Sequence, residues 1–140
     1  MRVIVDKAEE VAAWASKRLH TKFVAPYSAI GFETDAGKPI GALIFNDYTG
    51  ENIEMSVVGL WTKKMFRVAG DYCFNQLGVQ RVTARTRVDK PKVINVIIAA
   101  GFRYEGRARR YYPGGCDAIL FGILKEECDW RLPATQISEV

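Results

Sequence analysis

Residues 81–112 read Arg81-Val-Thr-Ala-Arg-Thr-Arg-Val88, then Asp89-Lys-Pro-Lys92, an apolar run over 93–100, then Gly101-Phe-Arg-Tyr-Glu-Gly106 and a basic, aromatic stretch to Tyr112. The composition of 81–88 predicts a strand. Pro91 stands where a first helical turn tolerates a missing N–H. Gly101 stands where a helix C-terminus takes a left-handed residue. A short helix over 91–100 is thereby bracketed, and a second strand follows over 102–111.

Working outward, a helix is expected over 62–77, with Met65, Phe66, Ala69, Tyr72, Cys73 and Leu77 as its apolar stripe and Gly78 as its stop. Three strands precede it, over 28–34, 39–48 and 53–58, with turn-forming residues at 35–38 and 49–52. A strand over 2–5 and a helix over 7–20 open the chain. Asp6 and Glu9 read as a capping box, and Val11, Trp14, Ala15 and Leu19 as the helix's buried face. Residues 21–27, with Pro26, are a break with room for a helical turn. Beyond the opening stretch, Pro113-Gly-Gly115 is a turn, 116–124 the last strand, and 125–130 a closing segment. This order predicts an α/β (α+β mixed-sheet) fold in one domain over 1–130, followed by a polar tail over 131–140.

The chain has 140 residues, 49% hydrophobic and 26% charged, enough for one sizeable core. No apolar run reaches membrane-spanning length, and the apolar start is too short for a signal peptide, so a cytoplasmic location is expected. Cys73, Cys116 and Cys128 are odd in number and lack C-x-x-C spacing, which favours buried thiols over a disulfide framework or metal site. A net charge of +4 favours anionic partners.

The stretch Ala99-Ala-Gly101-Phe-Arg-Tyr-Glu-Gly106-Arg107 resembles the leucine–glycine–phenylalanine … glutamate–glycine signature of the GNAT acetyltransferases. It is most similar to the branch that includes the ribosomal-protein N-terminal acetyltransferases and their phage-encoded relatives. The order of elements is also that of the GNAT fold, so the resemblance spans nearly the whole chain. It implies that the strands over 53–58 and 81–88 splay apart and that acetyl-coenzyme A lies between them. The pantetheine arm would pair with the backbone of Val57, Val58 and Gly59. The pyrophosphate would rest on Trp61, Thr62, Lys63 and Lys64, with Arg67 adding positive charge. Free N–H groups and the helix dipole make such a helix start an anion site, and Thr62 is a fitting N-cap. A solvent-facing basic turn is the plainer account of the same residues. The sequence departs from the family pattern in three places. The loop before the helix has one glycine, Asp89 or Lys90 stands where an asparagine commonly touches the cofactor, and Ile97 replaces a tyrosine that acts as general acid.

For the acceptor side, strand alternation places Glu54, Ser56 and Val58 on one face and Ile53, Met55 and Val57 on the other. Related N-terminal acetyltransferases carry a glutamate on this strand, so Glu54 becomes the candidate base, with Ser56 beside it as a second catalytic candidate. An exposed strand-end glutamate is the competing account. Arg85 and Arg87 share a face of a strand expected to be covered on both sides. They either open into the cleft, to meet phosphate or an acidic substrate, or pair with Glu105 or another acid. Tyr104, Tyr111 and Tyr112 are hydroxyl-bearing candidates for an acid role. By the same resemblance, His20, Phe23, Tyr27 and Arg85 are candidates for the acceptor wall. The leading function is an acetyl-coenzyme A-dependent N-acetyltransferase acting on a primary amine. A catalytically silent protein-binding module of the same fold is the alternative, and a small basic nucleic-acid binder ranks last. Exposed strand edges leave room for a homodimer.

Overall fold

The computed structural model describes residues 1–130; the expected tail over 131–140 lies outside the described residues. Seven strands form one sheet: β1 (Arg2–Ile4), β2 (Ser28–Glu33), β3 (Pro39–Asn46), β4 (Asn52–Gly59), β5 (Arg81–Arg87), β6 (Arg103–Tyr112) and β7 (Cys116–Leu124). Three α-helices accompany them: α1 (Ala8–Leu19), α2 (Lys63–Gly70) and α3 (Pro91–Ala99). The spatial order is β1-β2-β3-β4-β5-β7-β6. Every neighbouring pair is antiparallel except β4–β5.

That topology decides where the helices lie. The connections β4-α2-β5 and β5-α3-β6 step the same way across the sheet, and right-handed crossovers then put α2 and α3 on one face. Met65, Ala69, Cys73 and Phe74 from the α2 segment and Ile97 from α3 accordingly share a core with Ile53, Met55, Val82, Ala84, Phe121 and Ile123. Trp130 completes this core, its indole N–H donating to the Ala100 carbonyl at 2.7 Å. On the opposite face α1 packs on Ala29, Ala42, Ile44 and Val58, over β2, β3 and β4. Among the described residues no helix covers that face of β5, β7 and β6.

Local chemistry accounts for several differences from the sequence reading. Asp6 does not cap α1: the N-cap is Lys7, with no side-chain bond to the helix start. Ala12, not Leu19, completes α1's buried face, and Leu19 is exposed because the helix ends beside it at His20 in a left-handed conformation. Residues 21–27 hold no helix. α2 continues as a π-helical turn, Asp71–Gln76, held by Leu77 N–H to Tyr72 C=O at 2.9 Å. Gly101 does end α3, at φ 102°. The expected two-sided cover of β5 is overturned. Val82, Ala84 and Thr86 are buried on the helix side, while Arg81, Thr83, Arg85 and Arg87 stand half-buried on the helix-free side.

Candidate active site

β4 and β5 pair at three positions only: Asn52 with Arg81, Ile53 with Val82, and Glu54 with Thr83. Past Glu54, β4 runs on to Gly59 bonded to β3 alone, and β5 runs on to Arg87 bonded to β7 alone. Each strand is held at its outer edge, so the inner backbone edges of residues 55–59 and 84–87 face one another without a strand between them. Such free N–H and C=O groups are strong hydrogen-bonding groups that a ligand can satisfy.

The closed end of this fork is clamped by side chains. Thr83 Oγ1 donates to Asn52 Oδ1 at 2.6 Å, and Arg81 Nε donates to the same oxygen at 3.2 Å. Arg81 Nη2 also lies 2.6 Å from Glu105 Oε1 on β6. That reach crosses β7 over Gly122, where any Cβ would collide with both the guanidinium and the carboxylate.

Glu54 stands where the strands part. It is 7% exposed, on the face of β4 away from α2, the face it shares with Val58 by alternation. Its Oε1 lies 3.1 Å from Arg85 Nη2. Its carboxyl is raised from 4.5 to about 7, by burial first and then by a hydrogen bond with the Asp47 carboxylate, against the opposing Arg85 charge. Asp47 follows β3 at φ 54°, just beyond Asn46, the register partner of Glu54. Ser56 stands two residues along the same face, past the point of parting.

β6 reaches over this face. Its register shifts between Ala108 and Tyr112, and Arg110 takes φ 55°. Successive strand residues ordinarily alternate faces, but this kink lays Tyr111 and Tyr112 on neighbouring arginines of one face. The Arg85 guanidinium hydrogen-bonds the Tyr111 hydroxyl and sits 4.6 Å from its ring centroid, and Arg87 sits 5.6 Å from the Tyr112 ring. Arg87 also forks onto Asp89, Nε–Oδ1 3.0 Å and Nη2–Oδ2 3.1 Å, which holds the Asp89 carboxyl below its ordinary value. The Asp89 carboxylate, a candidate cofactor contact, is thus already engaged.

At the open end β4 turns sharply. Gly59 takes φ 84°, and a Cβ there would stand 2.5 Å from the Ile40 carbonyl oxygen. Leu60 N–H donates to that same oxygen at 2.9 Å. Trp61 folds back on α2, its ring 5.4 Å from Phe66. Thr62 caps α2, its Oγ1 accepting from Met65 N–H at 3.2 Å. The N–H groups of Lys63 and Lys64 precede any carbonyl of the helix that would accept them, and both side chains are exposed. Arg67, one turn on, has Nη1 buried with no hydrogen-bond partner among the described residues. An orphaned guanidinium N–H beside a helix N-terminus is chemistry suited to an anion.

The remaining candidates divide. Phe23 and Tyr27 pack against the cluster containing Val58, so they share the face of Glu54. His20 is the exposed C-cap of α1, its N–H donating to Ser16 C=O. Tyr104 lies edge-on to Phe121 on the helix side, away from Glu54. Val57 packs with the helix-side core and Val58 with the α1-side core, leaving their backbone to face the fork. Asp47 is the participant that sequence reasoning missed.

No family model matches the chain, and no curated protein matches it in sequence. Solved structures do. A variant of spermidine N-acetyltransferase SpeG from Vibrio cholerae superposes with a TM-score of 0.66 at 18% identity, over 84% of this chain and 75% of that one. A dodecameric form of the same enzyme in an intermediate state gives 0.65 at 18% identity, over 84% and 74%. The mixed seven-stranded sheet with its three helices is the GNAT acetyltransferase fold. Among the described residues no helix is long and apolar enough to cross a membrane.

Proposed function

We propose that the protein is an N-acetyltransferase that moves an acetyl group from acetyl-coenzyme A to a primary amine. The observation that carries this reading is the parting of β4 and β5 at Glu54, with a buried carboxyl at about 7 set in the vertex. A general base works best with a pKa near the operating pH, and a scaffold protein has no use for such a group at the mouth of an open backbone fork.

The residues present fit the cosubstrate. The free edge of residues 55–59 offers backbone to an amide-bearing arm. The start of α2, with Lys63, Lys64 and the unpartnered Arg67 Nη1, offers donors to a diphosphate. Acetyl-coenzyme A supplies the activated acyl thioester. The chain's own part is positioning and proton transfer. Backbone N–H groups of β4 polarise the acyl oxygen, the fork aligns amine and acyl carbon, and Glu54 accepts the proton the amine gives up as its nitrogen bonds to that carbon. Arg85 holds the Glu54 carboxylate in place, and Ser56 lines the same face.

Ile97, buried at 4% exposure, offers no proton where relatives have tyrosine, so the leaving thiolate takes its proton elsewhere. The acceptor is a protein N-terminus, as in the ribosomal-protein branch, a lysine, or a small amine such as the spermidine named for the similar structure. Phe23 and Tyr27 would form its wall, and His20 its outer edge. A thermal-shift titration with acetyl-coenzyme A followed by a thiol-release assay over an amine panel tests the reading. A rise in melting temperature and turnover that falls in Glu54→Gln support it. No shift at saturating acetyl-coenzyme A overturns it and leaves the silent module.

A further inference from the structure

The charged groups that act on Glu54 are Asp47 and Arg85. Three acids on this face or at the turns beside it have an arginine: Glu54 has Arg85, Glu105 has Arg81 and Asp89 has Arg87. Among the described residues Asp47 and Glu51, in the turn before β4, have none, and the Asp47 carboxylate is taken up with Glu54. Arg109 and Arg110 on the β6–β7 hairpin have no acid within ion-pair distance among the described residues, and Asp117 is spent on the Arg110 backbone N–H at 2.8 Å and on the Arg107 guanidinium. Lys22, in the segment that supplies Phe23 and Tyr27, is exposed with no acid in that segment.

Arg85 is the residue able to read an anion there. Its guanidinium has five N–H donors in a rigid fork. One goes to Glu54 at 3.1 Å and one to the Tyr111 hydroxyl. The Tyr111 ring, its centroid 4.6 Å from the guanidinium carbon, helps hold it in place. The side chain is 26% exposed, so the remaining donors are reachable from the open face. An anion bound to them lies within a few ångströms of the base that must meet the amine.

Building on the acetyltransferase reading, we propose that the acceptor is an acidic amine, a primary amine with a carboxylate a few bonds away, and that Arg85 selects it. An amino acid with an acidic side chain and a peptide beginning with Asp or Glu share this chemistry. Arg85 acts as a specificity-determining residue: the substrate carboxylate accepts from its free donors while Glu54 takes the proton from the neighbouring amine. Charge-assisted pairs to a planar fork are strong and directional.

The test compares kcat/KM for thiol release with peptides beginning Glu, Asp, Ala and Lys, with free glutamate and aspartate, and with a polyamine. The inference expects acidic over neutral acceptors by about 30-fold or more, and neutral over basic ones. Peptides outrunning the free amino acids identify a chain N-terminus as the source of the carboxylate, and the reverse order identifies a small metabolite. Arg85→Gln should shrink the acidic-to-neutral ratio to within a few-fold of one, mainly through KM for the acidic acceptor. Acetyl-coenzyme A must still raise that variant's melting temperature, which shows that it is folded. Turnover of lysine peptides or the polyamine at rates matching the acidic acceptors overturns the inference while leaving the acetyltransferase reading intact. Absence of both cofactor binding and thiol release removes that reading instead.

Discussion

Glu54 and Arg85 face each other across the point where β4 and β5 stop pairing, Oε1 to Nη2 at 3.1 Å. The pair ties the two arms of the fork together just above its last backbone contact. Its energetic meaning is not simple attraction: burial and Asp47 raise the Glu54 carboxyl more than Arg85 lowers it. The result is a group that holds its proton below about pH 7 and releases it above, which is the behaviour of a base and a poor design for a structural ion pair.

The pH dependence of activity follows from this. Both the acceptor amine and Glu54 must lose a proton before reaction. In the wild type, log kcat/KM should therefore climb with a slope approaching two below pH 7 and about one above it, until the amine is neutral. Glu54→Gln should show about one throughout and a rate lower by about 10²–10⁴-fold. Identical slopes in the two proteins remove Glu54 from the proton transfer.

Stability should carry the same signature. The folded carboxyl sits at about 7 and the unfolded one near 4.5, so the native state holds a proton that the unfolded state has lost. Raising the pH through that window therefore destabilises the fold, by about 1.4 kcal/mol per unit at most and on the order of 3 kcal/mol in all. Below pH 4.5 and above about 7 the term is flat. Urea titrations of wild type and Glu54→Gln at pH 5 and pH 7.5 check it, the wild type losing ground relative to the variant at the higher pH.

Much of this site was legible in the sequence because it rests on local periodicity. Alternation over 53–58 placed Glu54 and Ser56 on one face, Thr62 announced a helix start, and Pro91 and Gly101 bracketed α3. What escaped depends on pairing between distant strands. Asp47 reaches Glu54 only through the β3–β4 register and a left-handed backbone, which a turn-like Asn46-Asp47-Tyr48 does not announce. The arginine face of β5 was expected beneath a helix, but two same-handed crossovers leave it bare. Tyr111 and Tyr112 meet Arg85 and Arg87 together only because Arg110 breaks the alternation. Asp6 failed as a cap because α1 begins one residue later than its spacing to Glu9 requires.

Arg67 is predicted to serve ligand binding at some cost to the fold. Its buried, unpartnered Nη1 is a penalty that a bound diphosphate relieves. Arg67→Met should weaken acetyl-coenzyme A binding by about tenfold or more while leaving the melting temperature of the free protein unchanged or higher. Calorimetric titration beside a thermal melt separates the two effects, and a variant that melts lower yet binds acetyl-coenzyme A normally contradicts the assignment.

The turn from β4 into α2 should tolerate little. Gly59→Ala forces a side chain into φ 84° and against the Ile40 carbonyl oxygen, for a loss of roughly 2–4 kcal/mol in a denaturant titration. Thr62→Ala removes a single cap bond and should cost about 1 kcal/mol. The order of the two, not only their signs, tests the geometry of the helix start.

Amide hydrogen exchange with and without saturating acetyl-coenzyme A tests the fork most directly. The inner edge of residues 55–59 has no strand partner, so those amides should exchange readily in the free protein and slow when acetyl-coenzyme A is added, together with Lys63 and Lys64 at the start of α2. Unchanged exchange across both segments, in the presence of bound acetyl-coenzyme A, would place the ligand elsewhere and contradict the account.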